Sequence, residues 1–138
     1  MTITGRCLCG AVTYQCNAEP VLQFNCHCQD CQKSSGSAYA PIMFFPRISV
    51  VIEGTVTYYE SLGKSGKPIR RGFCPACGSQ LFGNPEILAD FISIRVGTLD
   101  DTSIYQPRVE IFTAHAPAWS LLQEGTKKFP YAAPARNA

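Results

Sequence analysis

The sequence predicts a mainly β protein, and three observations carry that prediction. Its apolar runs are strand-sized and rich in β-branched and aromatic residues, as in Ile48-Ser-Val-Val-Ile52. Eleven glycines and ten prolines in 138 residues break the chain too often for long helices. Helix candidates are scarce and short, at Gln29–Ser35 and Ala118–Gln123 only.

Taken in order, Ala11–Tyr14 is the first candidate strand, and Gln29–Ser35, closed by Gly36, can make one or two helical turns. Ile42–Phe45 is a short apolar run of strand length. Ile48–Ile52, the Glu53-Gly54 turn and Thr55–Tyr59 read as a β-hairpin. Lys64–Pro68 is a polar loop leading into a strand at Ile69–Phe73. Phe91–Val96 alternates apolar and polar residues before Gly97, the pattern of a strand with one wet face. Val109–Phe112 is a last strand, and Ala118–Gln123, closed near Gly125, a last helical turn. Residues 1–131 are expected to form one domain, with 132–138 a disordered tail.

Composition narrows the function classes. A formal charge of +2 is too small to predict a nucleic-acid partner or an anionic membrane surface. Seven thiolates holding two divalent zincs would move that charge to −1, so a mildly basic apoprotein would become a near-neutral holoprotein. The N-terminal residues lack the apolar core of a secretion signal, and no apolar run approaches membrane-spanning length. The expected compartment is therefore the reducing cytoplasm, where eight cysteines imply metal or redox chemistry rather than a disulfide scaffold.

Seven of the eight cysteines fall into three tight clusters with metal-ligand spacing: Cys7-Leu8-Cys9, then Cys26-His27-Cys28-Gln29-Asp30-Cys31, then Cys74-Pro75-Ala76-Cys77-Gly78. On an extended segment the two cysteines of C-x-C point to one face and can converge on one ion. In C-x-x-C the chain turns between the ligands, and Gly78 can adopt positive φ to complete that turn. Seven ligands divide most simply into four plus three. Cys7, Cys9, Cys74 and Cys77 would close a tetrahedral structural zinc site. Cys26, Cys28 and Cys31 would hold a second zinc with its fourth position open, the pattern of catalytic zinc. Rival readings are a redox pair at Cys74/Cys77, an iron–sulfur cluster, and disulfides. The redox pair would need a helix after Cys74, whereas Gly78–Phe82 reads as a turn and a short strand.

Among the remaining candidates, Cys16 stands at no ligand spacing and reads as a small buried hydrophobe. His27 should project away from the metal that its neighbours share; its roles are fourth ligand, partner of a ligand, or substrate-facing group. His115 reads as an ordinary loop histidine. Arg6 and Lys33 could offset thiolate charge, and Arg70-Arg71 could bind a carboxylate. Tyr39, Phe44 and Phe45 could line a pocket or belong to the core, and Trp119 reads as packing.

The order C-x-C-G, C-H-C-x-x-C-x-K and C-P-x-C-G-S resembles the glutathione-dependent formaldehyde-activating family, which also includes centromere protein V. Val96-Gly-Thr-Leu-Asp100, Pro117-Ala-Trp119 and Phe129-Pro130 are similar to that family's later motifs, so the resemblance spans roughly residues 5 to 130. It implies a zinc-stapled β-tent, with Cys7, Cys9, Cys74 and Cys77 as structural ligands and Cys26, Cys28 and Cys31 as catalytic ligands. It also implies condensation of formaldehyde with glutathione to S-hydroxymethylglutathione, which in reverse is a carbon–sulfur lyase reaction. Two late family positions that commonly hold histidine and lysine correspond here to Glu110 and His115. The expected activity is zinc-dependent carbon–sulfur cleavage or formation on a thiol such as glutathione, with two zincs per chain and His27 as a further candidate. The alternatives are a non-catalytic zinc module that binds protein or nucleic acid, and a glutathione carrier.

Overall fold

The computed structural model describes residues 2–134. Eleven strands follow in chain order: β1 (Ile3–Arg6), β2 (Thr13–Cys16), β3 (Leu22–Cys26), β4 (Ala40–Pro46), β5 (Val50–Glu53), β6 (Thr57–Leu62), β7 (Pro68–Phe73), β8 (Gln80–Pro85), β9 (Phe91–Arg95), β10 (Val109–Ile111) and β11 (Lys127–Lys128). One α-helix, α1 (Gln29–Ser35), and a few 3-10 turns complete the described elements, so the chain is mainly β. Two compact units are present, each built from two stretches. The first takes the described residues up to Leu22 together with Met43–Tyr105, and the second takes Gln23–Ile42 with the described residues from Gln106 onward.

In the first unit β2 lies between β1 and β5, antiparallel to both, with Ile3 opposite Cys16 and Cys16 opposite Val50. Side chains alternate across this sheet, so Ile3, Tyr14, Cys16 and Val50 are buried while Thr4, Thr13 and Gln15 face out. β6, β7, β8 and β9 form an antiparallel meander in that order. The core contains Met43, Phe45, Leu81, Phe82, Ile92 and Ile94, with Tyr14 edge-on to Phe82 at 5.4 Å. Burying each of these large side chains is worth about 1.5–3 kcal/mol, so the core holds the sheets without help from long helices.

Several local expectations need correction. The chain over Ile48–Tyr59 is not a hairpin, because β5 pairs with β2 whereas β6 pairs with β7. Gly54 makes that divergence possible: at φ +97° its backbone passes so close to Ala11 that an added Cβ would stand 2.1 Å from the Ala11 carbonyl oxygen. β9 has no wet face. Ile92, Ser93, Ile94 and Arg95 are all buried, and Ser93 Oγ donates to the Gly83 carbonyl at 3.0 Å. A polar side chain with a partner can be buried, which alternation in sequence does not reveal.

Further corrections lie in the second unit. There β10 runs parallel to both β3 and β11, with Glu110 opposite Asn25 and Ile111 opposite Cys26. α1 occupies the residues expected of it and ends on Gly36 at φ +69°, whose amide bonds to the Gln32 carbonyl. Ala118–Gln123, by contrast, forms no helix, only a turn in which the Ser120 amide bonds to the Pro117 carbonyl. The Gln123 amide is instead taken by the Glu110 carboxylate. Trp119 does not pack, being 76% exposed. Of the expected tail, 132–134 carry no helix or strand and 135–138 lie outside the described residues.

Candidate metal centres

The first centre is built in the first unit from two turns. After β1, Cys7 and Cys9 bracket a tight bend that Gly10 closes at φ +82°. After β7, Cys74-Pro-Ala-Cys77 turns back, with Gly78 at φ +77° and its amide bonded to the Cys74 carbonyl. The four sulfurs lie within 4.8 Å of one another, Cys7 Sγ to Cys9 Sγ at 3.7 Å and Cys9 Sγ to Cys74 Sγ at 3.8 Å. Tetrahedral zinc with Zn–S near ~2.3 Å separates its sulfurs by about 3.8 Å, so the spacing fits that ion. Backbone and side-chain donors support the thiolates: the Val12 amide reaches Cys7 Sγ at 3.2 Å, and Ser79 Oγ lies 3.2 Å from Cys77 Sγ.

Four thiols this close cannot all ionise unaided. The Ser79 hydroxyl and amide lower the Cys77 thiol to about 5. Cys9 is pushed up to about 11: the Ala11 amide favours its thiolate, but desolvation and the three neighbouring sulfurs oppose it more strongly. A divalent cation removes that conflict, because it attracts all four thiolates at once.

The second centre lies in the second unit. Cys26 ends β3, Cys28 caps α1 and Cys31 sits in its first turn; all three are buried and their sulfurs lie within 4.8 Å of one another. Cys28 Sγ accepts the Cys31 amide at 3.3 Å, so the helix cap and the C-x-x-C turn are the same structure. The Cys28 and Cys31 sulfurs, with burial, raise the Cys26 thiol far above its ordinary range, again the signature of crowded sulfurs that a cation would relieve. No histidine or carboxylate atom among the described residues joins the three sulfurs in that group.

His27 is fully buried and outside the sulfur group. Its Nε2 lies 2.9 Å from Glu110 Oε1, its ring is 5.1 Å from that of Tyr39, and its Nδ1 is buried with no hydrogen-bond partner. Glu110, equally buried, also accepts from Thr126 Oγ1 at 2.6 Å and the Gln123 amide at 3.1 Å through Oε2. Desolvation raises the Glu110 carboxyl, but the bonds from Thr126, His27 and Asn25 outweigh it and hold it below the usual carboxylate range. Sequence reasoning did not pick out this carboxylate as a site residue, because its tie to His27 spans 83 positions.

Residues 2–115 match the family model described as glutathione-dependent formaldehyde-activating enzyme. The chain belongs to that family. Its fold is similar to that of a Rhodobacter sphaeroides protein of known crystal structure, at 20% identity and a TM-score of 0.56. That similarity covers 70% of this chain and 87% of the other. No curated protein matches the sequence.

In this formaldehyde-activating family member the other expected candidates are dispersed. Cys16 is fully buried in the core, and burial pushes its thiol up to about 12, so it behaves as a hydrophobe. Arg6 and Lys33 are exposed, and Arg70 stacks on the Tyr58 ring at 4.4 Å. Arg71 is buried and donates to Ser61 Oγ at 3.0 Å. Phe45 is core and Phe44 is buried, while half-buried Tyr39 meets His27. His115 contributes its carbonyl, which accepts from Gln32 Nε2 at 2.8 Å. None of the eight cysteines is in a disulfide, and no helix among the described residues is long and apolar enough to cross a membrane.

Proposed function

We propose that this protein is a zinc-dependent carbon–sulfur lyase acting on a thiol or thiol adduct, with glutathione and formaldehyde as the first pair to test. The supporting observation is the contrast in ligand number. Four sulfurs converge in one cluster, and three buried sulfurs converge in the other with no further ligand atom from the described residues in the group. Four thiolates saturate a tetrahedral ion, whereas three leave one position for an exchangeable ligand. The family match supplies the substrate chemistry, since its members are described as glutathione-dependent and formaldehyde-activating.

On this reading Cys7, Cys9, Cys74 and Cys77 hold the structural zinc, and Cys26, Cys28 and Cys31 hold the catalytic one. An ion bound by the three cysteines would supply a Lewis-acidic position that keeps a thiol ionised near neutral pH. The chain's own contribution is to bury these sulfurs and to fix Cys28 and Cys31 through the α1 cap. The β-tent description, the two-zinc count, the single-domain reading and a cytoplasmic location belong to the same proposal; eight cysteines outside any disulfide suit a reducing compartment.

The test is zinc content per chain on gently purified protein, together with S-hydroxymethylglutathione formation from glutathione and formaldehyde. Two zincs, the weaker protected by glutathione, with product formation above the uncatalysed rate, are expected. One zinc under every condition and no thiol effect would reject the reading in favour of a non-catalytic zinc module. Thiol binding without product would point to a carrier.

A further inference from the structure

His27 sits between two proposed ligands and is anchored at three atoms. Its amide bonds to the Ile111 carbonyl at 3.0 Å, its carbonyl accepts from Gln32 Nε2 at 2.7 Å, and its ring Nε2 meets Glu110 Oε1 at 2.9 Å. Alternation along the extended chain puts Asn25 and His27 on one side and Cys26 and Cys28 on the other. The parallel register sets Glu110 opposite Asn25, so its carboxylate arrives on the His27 side. A carboxylate is fully buried here at the cost of desolvation, and bonds from His27, Asn25, Gln123 and Thr126 offset that cost.

We propose that Glu110 is a positioning residue for the three-cysteine metal site: acting through His27 from the side opposite the sulfurs, it holds Cys26 and Cys28 in ligand register. An ionised carboxylate only accepts hydrogen bonds, so the facing ring nitrogen must be the donor, and His27 is fixed with its proton on Nε2. Nδ1, on the other side of the ring, is buried with no hydrogen-bond partner among the described residues. The inference rests on Cys26, Cys28 and Cys31 forming a metal site, but not on what that site reacts with.

The experiment uses zinc-loaded full-length protein and three substitutions, Glu110→Gln, Glu110→Ala and His27→Ala. Zinc release to a chromophoric chelator is followed alongside thermal unfolding. Because the chain has two histidines, ¹⁵N spectra with His115→Gln as the assignment control report which His27 nitrogen is protonated. Wild type should show Nε2–H, and E110Q a shift toward Nδ1–H, since the Gln amide can donate to Nε2. E110A and H27A should weaken retention of one zinc by about tenfold or more, the range found for groups that orient metal ligands. E110Q should recover most of it, and the second zinc should stay in place in all three.

Wild type protonated on Nδ1 would overturn the proposal. So would an E110A protein that releases both ions as wild type does, or that loses both together on global unfolding. None of these readouts uses substrate. A wild type that retains two zincs, shows the Nε2–H signal and yields no product would therefore refute the lyase reading and leave this inference standing. A wild type holding a single zinc would refute both.

Discussion

The two cysteine clusters set the same side chains in opposite surroundings. The four-cysteine cluster joins segments 65 positions apart and leaves Cys9 exposed, whereas the three-cysteine cluster draws all its ligands from six consecutive residues and buries every one. Closing so long a loop removes about 4 kcal/mol of unfolded-chain entropy by the chain-entropy estimate for cross-links. A cluster confined to one β-strand end and one helix cap gains almost nothing of that kind. On the proposed reading the cluster that joins distant segments would stabilise, and the local, buried cluster of three would do chemistry. A zinc held by three thiolates would also rest on fewer bonds and would be the more easily stripped.

The largest effect that could break this contrast is on the first cluster. Cys74→Ser is expected to lose one metal equivalent and to lower Tm by about 10–20 °C, read by calorimetry and metal analysis. A fully stable C74S protein would mean that the cluster is not a staple. Next in size, Cys31→Ser should lower product formation on the order of 100-fold while leaving Tm within a few degrees. If C31S unfolds as readily as C74S, the second cluster is structural as well.

A smaller effect separates the polar network behind the second cluster from the first. Glu110 is held below its ordinary carboxyl range of 4.5, so its contribution is complete above that pH and is lost as pH falls through the lower folded value. Wild type should therefore be more stable than E110Q near neutrality, and their unfolding midpoints should converge once the pH has fallen below the lowered folded value of Glu110. A gap that widens on acidification would reverse the sign and remove Glu110 as an anchored carboxylate. The smallest effect belongs to the cysteine in neither cluster. Cys16→Ala should cost about 1 kcal/mol of core packing and leave metal content unchanged, and any lost metal would bring Cys16 into a site.

Much of both centres was legible because metal-ligand spacing is local. C-x-C, C-x-x-C and the glycines that close their turns are short-range demands, and Gly78 takes the positive φ its place after Cys77 requires. α1 was legible for the same reason, running from the Cys28 cap to Gly36. The supposed hairpin at Ile48–Tyr59 failed because strand composition does not name a partner: β5 goes to β2 and β6 to β7. Trp119 failed because an aromatic residue signals burial only on average, and this one lies on an irregular stretch whose Gln123 amide bonds to Glu110.

By itself, then, the sequence determined the three cysteine clusters, the mainly β class and the local turns, since each follows from residues within a few positions of one another. Only the tertiary structure decided that the sulfurs of Cys7 and Cys9 meet those of Cys74 and Cys77, and that Glu110 stands under His27. These pairings join residues 65 and 83 positions apart. Each pairing is selected by the packing of its own unit, which for Glu110 and His27 means burial with hydrogen-bond partners, a condition no short stretch of chain can set.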